Sequence, residues 1–179
     1  MKDGLDILIS QLQDQKGKAF WQQLEAITRR REFTLIEKGI YSALGPGNPD
    51  MDHLLDAARK ANYYGYTVYI LPNPRGSKSA DLIFEQKGIF RLYELKTITG
   101  KNSVGNRLKE AVFQSGRVIL NMTVQYNPRK LAKEIKDSFT LSREIVEVLV
   151  LFRGKRISIN RQAALNHTFN ADFRKALTK

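Results

Sequence analysis

Apolar residues recur at helical spacing through the first quarter of the chain: Leu8, Leu12, Phe20, Leu24 and Ile27, then Leu35, Ile36, Ile40 and Leu44. That spacing predicts one or two amphipathic helices between about Leu5 and Leu44, interrupted by Arg29-Arg30-Arg31-Glu32. The turn signal GPGNPD, Gly45 to Asp50, then breaks the pattern, and Asp50 or Asp52 is placed to cap the next helix. Leu54, Leu55, Ala58 and Ala61 predict that helix from Met51 to Tyr64, and Gly65 stops it. The expected organisation is a helical extension over residues 1–50 and a second domain over residues 51–179.

Beyond Gly65 the period changes from helical to extended. YTVYILP (Tyr66 to Pro72) predicts a buried strand, and NPRGSKS (Asn73 to Ser79) a polar loop. ADLIFEQKGIFRLYELKTI predicts two strands joined by a turn around Lys87-Gly88. VGNRLKEAVFQSG (Val104 to Gly116) predicts a short helix with Leu108, Ala111 and Val112 on one side. A strand (Arg117 to Val124), an amphipathic helix opened by Asn127-Pro128, a strongly apolar strand (Ile145 to Phe152), a turn with a short strand, and a helical C-terminus complete the order. This alternation implies an α/β fold, a mixed β-sheet flanked by helices on both sides.

Composition narrows the chemistry. The chain has 179 residues, enough for a real core, and no cysteine, which excludes disulfides, thiolate metal sites and a cysteine nucleophile. With only His53 and His167, a metal would have to be a hard cation held by carboxylates. No secretory h-region or membrane span is present in the opening residues, so the cytoplasm is the expected site of action, with no membrane partner. The net charge of +12 is uneven: residues 1–50 sum to 0, residues 51–100 to +2 and residues 101–179 to +10. An excess of that size in one half points to a polyanion, with nucleic acid as the expected partner.

The hairpin around Lys87-Gly88 holds the candidate chemistry. In YELKTITG, Glu94 and Lys96 are two apart on a strand and share a face. If the turn is two residues, Lys87-Gly88, or four, Gln86 to Ile89, paired positions sum to 175 and Asp81 falls opposite Glu94, whereas a three-residue turn would break that register. Like charges directly across a sheet destabilise it, unless something such as a divalent cation bridges them. Such a site suits phosphodiester hydrolysis, with the cation polarising the phosphoryl oxygen and the Lys96 ammonium orienting the nucleophile or meeting charge on phosphorus. A common ExK tripeptide on an exposed strand is the bland alternative. Tyr63, Tyr64, Tyr66 and Tyr69 read as base-stacking residues or as packing, His53 as a surface residue, and His167, with no visible partner, as a structural one.

Asp81, a hairpin, then Glu94 and Lys96 resemble the core of the PD-(D/E)xK nuclease superfamily, with Ser79-Ala80 standing where a proline commonly precedes the first acid. The stretch from about Asp52 to Asn160, through LLDAARKANYYGYTVYILP, KSADLIF and YELKTITGKNSVGNRLKEAVFQSGRVILNM, resembles the tRNA-cleaving C-terminal toxin domains of contact-dependent growth inhibition systems. The resemblance implies a metal-dependent endonuclease acting on RNA, tRNA foremost. It implies Asp81 and Glu94 as ligands of a divalent metal (Mg2+, with Mn2+ or Zn2+ as alternatives) and Lys96 as catalytic lysine. Asp56 would be the helix acid, with Asp52 one turn earlier, and Gln114 would complete the site. Asn106 and Arg107, with Lys78 and Lys101, would face the phosphate backbone. An acidic immunity protein and delivery within a larger protein are further implications. A DNA endonuclease of the same fold and an inactive nucleic-acid-binding module remain the alternatives.

Overall fold

The computed structural model describes residues 33–44, 47–72, 80–101 and 103–178. The chain is mixed α/β and divides into two compact units, Met1–Tyr93 and Glu94–Lys179. The helices expected before residue 33 lie outside the described residues, as does the Asn73–Ser79 loop with Lys78.

The first unit contains β1 (Thr34–Glu37), β2 (Ile40–Ser42), α1 (Met51–Tyr63), β3 (Thr67–Ile70), β4 (Leu82–Gln86) and the opening half of β5 (Ile89–Ile98). Residues 34–42 are therefore strands, which corrects the helix expected through Leu44. Leu35, Ile36 and Ile40 satisfy either period, but Gly39, at φ +77°, reverses the chain into an antiparallel pair. β2 then adds parallel to β3, with Ile40 opposite Val68 and Ser42 opposite Ile70. Ile40 and Ser42 are buried while the intervening Tyr41 is only half-buried, a period of two that pairing imposes. A β-carbon on Gly39 would lie 2.3 Å from the Asn62 side-chain amide of α1. Asn62 in turn donates to the Tyr66 carbonyl (2.9 Å), which fastens the end of α1 to the entry of β3.

Helix α1 buries Leu54, Ala57, Ala58 and Ala61, a stripe of the expected spacing. Asp50 occupies its N-cap position, but no side-chain cap bond forms among the described residues; the Asn48 side chain accepts from Asp50 N–H instead (2.8 Å). Leu71, Ala80, Ile83 and Leu92 form a separate small core edged by Phe33, Tyr69 and Phe90. Tyr41 and Tyr69, register partners on β2 and β3, stack with ring centroids 5.2 Å apart. Tyr66 packs on Phe84 and Tyr63 meets Tyr64 edge-on, so all four tyrosines weighed as base-stacking residues make ring contacts within this unit.

The second unit begins at Glu94 within β5 and continues through α2 (Val104–Ala111), β6 (Arg117–Met122), α3 (Pro128–Leu141), β7 (Glu147–Phe152), β8 (Lys155–Asn160), α4 (Arg161–Leu165) and α5 (Phe169–Thr178). Strands β5, β6 and β7 are mutually parallel and β8 is antiparallel to β7. Parallel neighbours require crossovers, and α2 and α3 supply them. Ile98, Val118, Leu120, Met122, Val148, Val150 and Ile159 lie on one sheet face and pack against Val104, Leu108, Leu131, Ile135, Phe139, Phe169 and Phe173 of the helices. Asn127 caps α3, its Oδ1 accepting from the backbone N–H of Arg129 (2.9 Å) and Lys130 (3.1 Å), with Pro128 in the first turn. The end of α3 is held by Arg161, whose guanidinium donates to the carbonyls of Phe139, Ser142 and Ile145. Sequence reading assigned Arg161 nothing, because carbonyls left over at a helix end have no sequence signature. Among the described residues no helix is long and apolar enough to cross a membrane.

Candidate active site

The β4–β5 hairpin has a two-residue turn, one of the two lengths that give the register in which paired positions sum to 175. Lys87 and Gly88 both have positive φ, 55° and 77°, the type I′ geometry that matches strand twist. Every pair from Gln86–Ile89 to Leu82–Tyr93 follows the expected register. Asp81 stands immediately before Leu82, and Tyr93 immediately before Glu94. Asp81 is half-buried; its N–H donates to Tyr93 O (3.0 Å), and its carbonyl accepts from Leu71 N–H (2.9 Å). Asp81 thus holds a fixed backbone position in the first unit.

In the second unit three of the predicted residues meet. Glu94 and Lys96 lie on the same face of β5, opposite Val118 and Leu120 of β6. Lys96 Nζ donates to Glu94 Oε1 at 2.6 Å and to Gln114 Oε1 at 2.9 Å. The Glu94 side chain is 2% exposed and that of Lys96 13%, so this is not a solvated surface pair. Burying two charges costs several kcal/mol per ion, roughly what their attraction returns. The pair therefore adds little net stability for the precision with which it fixes an ammonium.

Gln114 reaches Lys96 from the turn after α2. The turn stays helical in its hydrogen bonding: Val112 N–H donates to Leu108 O (3.3 Å), Gln114 N–H to Ala111 O (2.9 Å) and Ser115 N–H to Ala111 O (3.1 Å). Gly116 then joins it to β6. A β-carbon there would lie 2.8 Å from Glu144 O and 3.3 Å from Val146 Cγ2, so the path back from Gln114 to the sheet needs a residue without a side chain. The sequence marks Gly116 only as a helix stop, although its place between Gln114 and β6 was a signal that it also sets where Gln114 points.

The other predicted residues do not join this cluster by any bond described. Asp56 accepts from Lys60 Nζ (2.7 Å) one turn along α1, an i,i+4 pair with both side chains partly exposed. Arg107 is exposed on α2 and pairs with Glu110 at 3.2 Å. Asn106 and Lys101 are exposed, as are Asp52, His53 and His167, in keeping with the surface reading of His53. No three Asp, Glu or His side chains gather as a metal centre among the described residues. The Thr97 hydroxyl, next along β5, is buried without a hydrogen-bond partner among the described residues.

The same unit contains a second polar arrangement. Tyr126 is 4% exposed and donates its hydroxyl to Glu134 Oε2 at 2.7 Å. Burial, then the bond to Glu134 and its negative charge, push the phenol up to about 12. Glu134 also lines a groove of about 330 Å³ between α2 and α3, with Asn106, Lys109 and Asp137 at its rim and Leu108, Val112 and Ile145 in its floor.

Comparison with known proteins bears on the stretch that holds these residues. No curated protein sequence matches the chain. A solved structure described as "CdiA-CT/CdiI toxin and immunity complex from Burkholderia pseudomallei" aligns with 65% of this chain and 92% of its own, at 16% identity and a TM-score of 0.44. Residues 78–157, which include Asp81, Glu94, Lys96 and Gln114, match the family described as the contact-dependent growth inhibition CdiA C-terminal domain, and in that segment the chain is similar to this toxin-domain family.

Proposed function

We propose that this protein is a metal-dependent endonuclease that hydrolyses phosphodiester bonds in RNA, tRNA foremost, as a toxin effector of contact-dependent growth inhibition. The observation that carries the reading is the buried Lys96 ammonium, held by Glu94 and Gln114. The chain around it is strongly basic and matches a growth-inhibition toxin domain. In this reading the fold is that of the PD-(D/E)xK nucleases. Asp81 and Glu94 would hold a divalent cation, Mg2+ or alternatively Mn2+ or Zn2+. That cation, when bound, supplies Lewis-acid polarisation of the scissile phosphate.

The protein's own groups do the rest. An ammonium has three N–H bonds, and two acceptors fix its direction, so the third can orient a water or meet negative charge growing on phosphorus. Gln114 sets that direction, and its own NH2 is a donor for a phosphate oxygen. Arg107, Asn106, Lys101 and Lys78 would hold the phosphate backbone, as a basic surface does without reading sequence. Asp56 would have to exchange Lys60 to take part. An acidic immunity protein is the expected protein partner, since complementary charge steers its association with the basic half. Delivery into a target cell as the C-terminal part of a larger protein accords with the family's description.

The test is incubation of purified protein with total tRNA and with plasmid DNA, with Mg2+ or with EDTA. Loss of tRNA that requires metal and vanishes in Lys96→Ala is the expected result. Cleavage of DNA alone would move the reading to a DNA endonuclease of the same fold. Binding without cleavage across several metals would leave only a nucleic-acid-binding module.

A further inference from the structure

Strands β5, β6 and β7 are parallel, so the segments that leave their C-terminal ends meet at one edge of the second unit. Those segments, residues 99–103, 123–130 and 153–156, hold Lys101, Arg129, Lys130, Arg153, Lys155 and Arg156 and not one acid. At the opposite edge, where β6 and β7 begin, Arg117 and Arg143 stand among Glu94, Glu144 and Glu147, and the charge nearly cancels. The fold therefore sorts much of the basic excess of this half toward one edge. Lys155 has a structural task there, since its Nζ donates to Leu177 O near the end of α5 (2.6 Å). Lys101, Arg129 and Arg153 are exposed.

Two of these cations occupy positions that local rules disfavour. Arg153 is at φ +46° in the two-residue turn between β7 and β8, where Gly, Asn or Asp would be less strained. Arg129 is in the first turn of α3, which contains no acid, and a cation there opposes the positive end of the helix dipole. Departures from local preference are expected where a side chain serves function rather than folding. Lys87 has the same turn position in the β4–β5 hairpin, so strain by itself does not single Arg153 out. Its surroundings do. The guanidinium lies over the Phe152 ring, 5.1 Å from the centroid, and its Nη2 is 3.5 Å from Oε1 of Gln125, two residues before the Asn127 cap of α3. Stacking on a ring orders the guanidinium fork without using its N–H donors.

The edge is also placed for a strand that reaches Lys96. Lys96, Leu120 and Val150 form one register row across β5, β6 and β7, and Arg153 is three residues past Val150. Two strand spacings across and three residues along put the Cα atoms of Lys96 and Arg153 about 14 Å apart. Along a nucleic-acid strand that is about four phosphates, at roughly 3.4 Å of axis for each. Among the described residues the large exposed apolar side chains lie outside these three segments, so the edge lacks the apolar centre on which a protein partner closes. A polyanion needs none.

We propose that this edge, with Arg153 and Arg129 as its principal contacts, is a second phosphate-binding site for the RNA whose scissile strand lies at Lys96. The inference rests on the nuclease reading for its ligand and extends it. The RNA must continue past the scissile phosphate toward the β7–β8 turn, so a folded RNA rather than a very short oligonucleotide is engaged. Such contacts position the backbone without reading bases.

The experiment is equilibrium binding of fluorescein-labelled tRNA in EDTA, over a range of salt, to the wild-type chain, Arg153→Asn, Arg129→Gln, the double variant and Arg143→Gln. Asn suits a positive φ and Gln removes a cation from a helix start, so urea unfolding should find both single variants at least as stable as wild type. Each is expected to weaken binding roughly 4-fold, one contact's share of a non-specific affinity, and to lower the slope of log K against log salt by about 1. The double variant should lower that slope by about 2, and Arg143→Gln, an exposed charge lost at the opposite edge, should leave it unchanged. An unchanged slope in the double variant overturns the proposal and leaves the edge to an acidic protein partner. An equal loss in Arg143→Gln overturns it too, because the attraction is then one of net charge. A lowered slope in the double variant, with no cleavage by wild type in Mg2+, would sink the nuclease reading and keep the site. Metal-dependent cleavage with an unchanged slope would do the reverse.

Discussion

Removing one member of the Glu94–Lys96 pair should cost far more stability than removing both. At the observed 2.6 Å and an effective dielectric of about 20, the gross attraction is ~6 kcal/mol. Desolvation takes back several kcal/mol for each ion, which leaves the intact pair near break-even. In Lys96→Met, Glu94 stays 2% exposed without its ammonium, and the penalty for such a stranded charge is about 3–5 kcal/mol. Glu94 keeps further contacts, which places the expected loss toward the lower end, about 3 kcal/mol. That is a large share of the roughly 5–15 kcal/mol that holds a domain folded. The double variant Glu94→Gln/Lys96→Met removes both charges and should regain most of the loss, yet be inactive on tRNA.

The assay is urea unfolding of the wild type, both single variants and the double variant, with the coupling taken from the cycle. A coupling of about 2 kcal/mol or more, with an inactive but stable double variant, fits a charge pair kept for chemistry. Lys96→Met within about 0.5 kcal/mol of wild type would refute the reasoning, since that is how a solvent-screened surface pair behaves.

Two neighbouring features are open to test in the same way. Gly116→Ala forces a β-carbon to within 2.8 Å of Glu144 O; the strain should cost about 1–3 kcal/mol in urea unfolding and reduce tRNA cleavage by shifting Gln114, whereas unchanged stability would show that the turn yields freely. Tyr126 is raised to about 12 in the folded chain against about 10 for an unperturbed phenol; the unfolded chain loses that proton first, so the contribution is fully present below pH ~10 and is lost as pH rises toward 12. Thermal melting should show this alkaline loss, Tyr126→Phe should flatten it, and a Tyr126→Phe profile identical to wild type would remove Tyr126 as its source.

Much of the architecture was legible along the chain because local rules and tertiary demands agree there. Lys87-Gly88 between alternating strands allows one tight turn, and the register from Leu82–Tyr93 to Gln86–Ile89 results from it. The stripe Leu54, Ala58 and Ala61 allows one buried helix face, and Asn127-Pro128 one helix start. Residues 34–42 were misread because Leu35, Ile36 and Ile40 fit both periods over so short a run. The choice was made by β3, a partner 28 residues further on, whose Val68 N–H donates to Gly39 O and whose Ile70 carbonyl accepts from Ala43 N–H.

The candidate site divides in the same way. Glu94 and Lys96 sharing a strand face is a property of the backbone repeat, so the sequence alone determined it. Whether that face met water or protein was not determined locally. Only the packing of α2 and the return of the chain through Gly116 brought Gln114, 18 residues beyond Lys96, to 2.9 Å from its ammonium, beside a Glu94 that is 2% exposed. Residue types and their alternation can name the charges at a site. Their burial and their partners depend on segments far apart in sequence, and those meet only when the chain has folded.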